Sequence, residues 1–112
     1  MLRVQNITSE THQIHTIILA DFELRLVLRF LPRAQIWIFD AEYRGRRVDG
    51  FKLSLGVLHI TSSNLPFDVA VQDFSGTGID PFKADDFETG RCHLYVLEPQ
   101  DMEAIRGAPV PF

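Results

Sequence analysis

The segment FELRLVLRFL, residues 22–31, places Phe22, Leu24, Leu26, Leu28 and Phe30 on one parity and Glu23, Arg25 and Arg29 on the other. A period of two sets every large apolar group on one face of a strand, whereas a helix would scatter them. One face must therefore meet a core, and the opposite face must meet water or a partner. Pro32 ends the segment, because proline supplies no backbone donor. Upstream, HTIIL at 15–19 is rich in β-branched residues and leads through Ala20 and Asp21 into the alternating strand, which predicts a hairpin or tight corner.

Further strands follow at close spacing. QIWIFD at 35–40 is apolar on both parities, as expected for a strand covered on two sides. AEYRGRRVDG at 41–50 reads as a turn, with Gly45 and Gly50 where the chain most easily takes positive φ. FKLSL at 51–55 alternates again with Phe51, Leu53 and Leu55 inward, and VLHIT at 57–61, PFDVAVQ at 66–72 and RCHLYVL at 91–97 complete the set. Only PQDMEAIRG at 99–107 reads as helical, with acids near its start, Arg106 near its end and Gly107 as the stop. The tail APVPF at 108–112 is expected to be extended and mobile, since two prolines bar regular pairing. The pattern predicts an all-β barrel or sandwich, a single domain over 1–112, with a short C-terminal helix and extended tail.

Composition narrows what such a domain can do. The 112 residues are 46% hydrophobic and include nine Phe, enough material for one core. Residues 1–52 carry eight Lys/Arg against six Asp/Glu, while 53–112 carry three against nine. That split suits docking onto charged protein surfaces or head-to-tail self-association, and argues against general nucleic-acid binding, which needs a basic footprint across the domain. The single cysteine, Cys92, has no internal disulfide partner, fits a reducing compartment and is expected to be a buried structural thiol. No apolar h-region follows Arg3, and the run from Leu53 to Phe67 is broken by Gly, Ser, Asn and Pro, so neither a signal peptide nor a membrane span is expected.

Several patterns invite chemistry and fall short of it. The stretch from Asp73 to Glu88 contains Gly76, Gly78, Asp80-Pro81 and the further acids Asp85 and Asp86. A dinucleotide loop needs a third glycine where Pro81 stands, and an EF-hand needs acids at alternating positions that Ser75 and Thr77 occupy. An irregular Ca²⁺ site on Asp80, Asp85 and Asp86 is the alternative to a solvated acidic turn in which Phe82 and Phe87 return to the core. His12 and His15, three apart on a strand, face opposite sides, and neither Ser54 nor Ser75 sits in a nucleophile elbow. His59 and His93 read as packed strand residues rather than ligands. No catalytic, cofactor-binding or metal-ligating residue is therefore assigned. The best local binding signal is YRGRRV, where Arg44, Arg46 and Arg47 stand beside Tyr43 and could hold an acidic protein patch or, as a more distant reading, a nucleic-acid backbone; a solvated hairpin tip is the equal alternative to protein contact.

With the strands in order, LRLVLRFLPRAQIWIFDAEYRGRRVDGFKLSLG resembles the small all-β baseplate plug proteins of contractile-tailed bacteriophages. The similarity lies in an alternating strand, a short turn, a Trp-containing strand ending in Asp (Trp37, Asp40), and glycines at 45, 50 and 56. GIDPFKADDFETGRCHLYV is similar to that family's Gly-x-Asp-Pro turn, acidic-apolar pair and final strand, so the likeness spans about residues 15–97. The chain departs from the pattern in RFLPRAQIW, where a Trp-Asn or similar turn pair is usual, and after Gly56, where a Leu-Leu pair is absent. The resemblance implies a structural subunit with no catalysis and no cofactor, packed as a threefold or sixfold homo-oligomer against tube, hub or tape-measure proteins. It implies residence in the virion tail, and in the host cytoplasm during assembly, with no need for nucleic-acid or membrane contact. The rival readings are a small β-barrel that binds a ligand or peptide, and a metal-dependent hydrolase built on the acidic loop.

Overall fold

A computed structural model describes residues 2–19, 23–60 and 65–101. Seven strands are present among them: β1 Leu2–Arg3, β2 His12–Ile18, β3 Glu23–Leu31, β4 Ile36–Tyr43, β5 Arg46–Lys52, β6 Asp68–Asp73 and β7 Cys92–Leu97. They form two antiparallel sheets, one ordered β2-β3-β4-β5 and the other β1-β7-β6. The fold is all-β, as the alternation predicts. No helix among the described residues is long and apolar enough to cross a membrane.

The parity of β3 governs the core. Leu24, Leu26 and Leu28 have no exposure at all, and Phe30 is buried beside them, while Glu23, Arg25 and Leu31 are exposed. Across the register Leu26 lies opposite Ala41, Leu28 opposite Phe39 and Phe30 opposite Trp37, so β4 presents its own buried parity to the same interior. Val69 and Val71 of β6 and Cys92, Leu94 and Val96 of β7 close that interior from the smaller sheet. Trp37 is wedged between Phe30 and Phe87, each ring centroid 5.4 Å away, and the Phe87 contact is edge-to-face.

Among the described residues, the chain leaving β5 stitches the two sheets together along one side. Leu53 donates its N–H to Trp37 O, and Leu55 bridges Val71 in parallel, so the chain leaving β5 binds β6. On the opposite side the edge strands β1 and β2 flank an open groove of about 340 Å³, lined by residues that include Leu2, Val4, His15 and Ile18.

Four expectations need correction. Residues 41–50 are not a long turn: β4 runs on to Tyr43, the chain reverses over Arg44 and Gly45 alone, and β5 begins at Arg46. Both turn residues take positive φ, 47° and 77°, as a two-residue hairpin of this twist requires. QIWIFD is not covered on both sides, because Ile36 and Ile38 remain partly exposed on the outer face. The strand covered on both sides is β6, whose Asp68, Val69, Ala70 and Val71 are all buried, with Leu58 packed over Ala70 and Leu97. VLHIT makes no strand over 57–60, because side chains take over the backbone's partners there: His59 binds Ser54 N and Val69 O, and Asp68 binds Ile60 N. Residues 99–101 begin the helix expected over 99–107. The remainder of that segment and the tail at 108–112 lie outside the described residues. The opening pair Leu2–Arg3, to which no strand was assigned, pairs with β7 through Leu2–Val96 and Arg3–Tyr95.

Leu26→Asp should abolish cooperative unfolding, because it buries an unpaired charge at a cost above about 3 kcal/mol. Arg25→Asp, one residue away and facing out, should keep the fold and lose under about 1 kcal/mol through its new acidic neighbour Glu42. Thermal melts of the two variants check the parity.

Candidate functional site

The outer face of the four-stranded sheet carries a candidate surface site. The outward parity of β3 and the matching residues of its neighbours place Ile14, Val27 and Asp40 in one row, and Thr16, Arg25, Glu42 and Arg47 in the next. Between them runs an open groove of about 410 Å³. Asp40 is its centre and is almost wholly buried. Its Oδ1 accepts from Arg29 Nη2 at 2.9 Å and from the Gly50 N–H at 2.8 Å, and Arg47 Nη2 stands 3.8 Å from Oδ2.

A β-bulge makes this possible. Phe39 pairs with Phe51 and Ala41 with Val48, so Asp49 and Gly50 together oppose the single residue Asp40. Gly50, at φ 74°, turns its N–H onto the carboxylate. Arg47 reaches back to Asp49 as well as toward Asp40. The sequence had grouped Arg44, Arg46 and Arg47 as one basic tip, but the structure separates them. Arg47 belongs to the groove, while Arg44 lies over the Tyr43 ring at the hairpin end, 5.5 Å from its centroid.

The groove's chemistry is balanced. Arg25, Arg29 and Arg47 meet Asp40, Glu42 and Asp49, and the charges alternate beside Ile14 and Val27. Such a mosaic, already paired internally, suits an apolar and polar protein partner better than a small ion of one sign. Arg29 Nε is buried without a hydrogen-bond partner, so one donor at the groove floor is still unsatisfied.

The acidic stretch from Asp73 to Glu88 is a knot of hydrogen bonds rather than a solvated turn. Asp86, expected to be wet, is buried. Its Oδ2 accepts from the N–H groups of Phe82 and Lys83, both at 2.8 Å, and Arg91 grips both oxygens at 2.9 Å. Arg91 also donates to the carbonyls of Ile79 and Asp80, each at 3.1 Å, and lies over the Phe82 ring. Asp73 caps the glycine turn, accepting from Ser75 N and Oγ, Thr77 Oγ1 and Gly78 N. Asp80 accepts from Leu55 N and pairs with Lys52. Phe87 does return to the core, and Asp85 and Glu88 stay exposed. Among the described residues, no three His, Cys, Asp or Glu side chains converge on a point where a metal could sit.

The remaining candidates are dispersed. His12 and His15 face opposite sides of β2, as their spacing predicts, His12 exposed and His15 turned inward. Cys92 is fully buried, and burial pushes its thiol up to about 12, so at neutral pH it is an apolar filler rather than a nucleophile. His93 packs against Phe74 at 4.1 Å. The alternation pattern does not register that His59 and Asp68 each bind a backbone group of the other's segment. His59 accepts from Ser54 N and so donates through Nδ1 to Val69 O, which fixes a neutral ring, and burial lowers its pKa. Asp68 Oδ1 accepts from Ile60 N and Val69 N, its Oδ2 has no partner, and burial raises its pKa. The polar break at Asp68 within an apolar strand was the only signal available.

No protein-family model matches the chain, and no curated protein matches its sequence.

Two expectations follow from the loop. Burial alone would push the Asp86 carboxyl up, but the hydrogen bonds from Arg91, Lys83 and Phe82 outweigh it and hold the group below its usual value. Asp73 is held well below its usual value by the hydroxyl and N–H of Ser75. Groups depressed in the folded state stabilise it above the unfolded carboxylate pKa and lose that contribution on acidification, so stability should fall as pH drops below about 4. Asp86→Asn should cost roughly 2–4 kcal/mol at pH 7 and flatten that acid limb, measured by denaturant titration across pH. Gly50→Ala should cost about 1 kcal/mol through its positive φ, and should loosen the Asp40 groove without unfolding the protein.

Proposed function

We propose that this protein is a structural subunit of a contractile phage tail baseplate, a plug or hub-associated component that acts by protein–protein packing and not by catalysis. The observation that carries the reading is the outer sheet face, where a charge-balanced groove around Asp40 is bordered by Ile14, Val27 and the half-exposed Ile36 and Ile38. Apolar contact area beside polar groups that are already paired within the chain suits packing against another protein. The arrangement from the alternating strand β3 through Trp37, Asp40 and Gly50 to the Asp80-Pro81 loop supplies the second support, because it is the order of landmarks that resembles the plug proteins. In this reading the subunit closes a ring of threefold or sixfold order, meets tube, hub or tape-measure proteins through the β2–β5 face, and resides in the virion tail after assembly in the host cytoplasm.

Protein composition of purified tails tests the reading directly. The chain should be present in whole-number ratio to the hub, and its absence would overturn the assignment. Ile38→Glu, between Arg29 and Lys52 on the outer face, should leave the melting temperature within a few degrees of the parent yet lower incorporation about tenfold, equivalent to roughly 1.4 kcal/mol of contact energy.

A further inference from the structure

The two outer edges of the larger sheet are built differently. The β5 edge carries Arg46, Arg47, Asp49 and Lys52 and is bent by the bulge at Gly50, which are devices that discourage strand addition. The β2 edge, HQIHTII, holds no Lys, Arg, Asp, Glu, Pro or Gly over seven residues. Among the described residues it pairs only with β3.

The ladder shows which backbone groups that edge presents. Phe30 donates to Thr11 O at 2.9 Å, and Thr11 stands opposite Phe30 in the register that sets His12 against Arg29. Hydrogen-bonded pairs recur at every second residue of an antiparallel ladder, so Gln13, His15 and Ile17 bond toward β3. The N–H and C=O groups of His12, Ile14, Thr16 and Ile18 therefore point to the open edge. The same residues carry outward side chains, and Ile14 and Ile18 are 48% and 78% exposed.

We propose that this edge is an interaction surface for β2 of a second copy of the chain, the two strands pairing antiparallel about a twofold axis at Thr16. In that register Ile14 stands opposite Ile18 of the second copy and Thr16 opposite its own equivalent. The apolar side chains meet each other, and no charged residue of either strand opposes a like charge. Charge decides against the alternative edge, since β5 would set Arg46 and Arg47 along an uncharged strand and leave their partners behind. The chain's own tail is a poor occupant, because Pro109 and Pro111 have no N–H to give the ladder. The pairing concerns the free chain before any assembly and does not depend on the baseplate reading. The composition of a tail particle can refute one, and the behaviour of the purified protein the other.

Sedimentation velocity over a concentration series tests the pairing. The parent should pass from monomer to dimer as concentration rises. Thr16→Lys, which sets two cations directly opposite each other, should raise the dissociation constant about tenfold or more, while Arg46→Glu, at an exposed position on the β5 edge, should leave it unchanged. Hydrogen exchange followed by NMR reads the register in the parent itself. Amides of Ile14, Thr16 and Ile18 should gain protection with concentration, whereas those of Gln13, His15 and Ile17 should be protected throughout. A parent that stays monomeric, a dimer indifferent to Thr16→Lys, or a trimer or hexamer in place of the dimer would each overturn the proposal. So would edge protection that is independent of concentration and lost when the chain ends at residue 101, because the tail would then be the occupant.

Discussion

One guanidinium holds the closed end of this fold together. Arg91 stands just ahead of β7 and binds Asp86 through two hydrogen bonds while donating to the carbonyls of Ile79 and Asp80. Those contacts draw an eighteen-residue connection, from the end of β6 at Asp73 to the start of β7 at Cys92, into a compact lid. The lid in turn seats Phe87 against Trp37 and offers Lys83 O to the indole N–H at 3.0 Å. A neutral residue at 91 would leave Asp86 buried with its charge uncompensated, and a lysine could not fork across both oxygens. The interior of the larger sheet thus depends on a salt bridge that lies outside it.

The groove around Asp40 follows the same logic on the open face. A buried carboxylate needs partners, and the bulge in β5 supplies one from the backbone while Arg29 supplies another from β3. Because these bonds are made within the chain, the face is already organised before anything docks. Preorganisation of this kind lowers the ordering cost that a flexible surface would pay on association. It fits a subunit whose role is to be packed against, which is the role we propose.

Much of the fold could be read from alternation alone, because burial and parity are the same fact in a strand with one face in water. β3, the latter half of β2 and β7 were legible for that reason, and β6 was legible from its alternate Phe67, Val69 and Val71 although both of its faces are covered. What alternation cannot register is a side chain that replaces a backbone partner. His59 and Asp68 convert an apolar, strand-like run into irregular chain, and nothing in VLHIT announces it. Likewise the glycine spacing in AEYRGRRVDG marked positive φ correctly at Gly45 and Gly50, yet one glycine closes a hairpin and the other bends a strand. The acidic loop misled in the opposite direction: its charges suggested water, but Asp86 has its counter-ion five residues along at Arg91, a pairing visible only once the chain folds back. The seven strands therefore include one, β1, that is too short for periodicity to reveal.

The bulged, charged edge of β5 has a consequence for colloidal behaviour. A sheet with two receptive edges can add copies at both ends without limit, and its growth has no natural stopping point short of a fibril. With Arg46, Arg47, Asp49 and Lys52 along one edge, addition at that end meets desolvation of four charges and a kinked strand with no matching ladder. Addition of further copies is therefore disfavoured at that edge, and pairing that begins on the β2 flank meets no second receptive edge in the same sheet from which to continue.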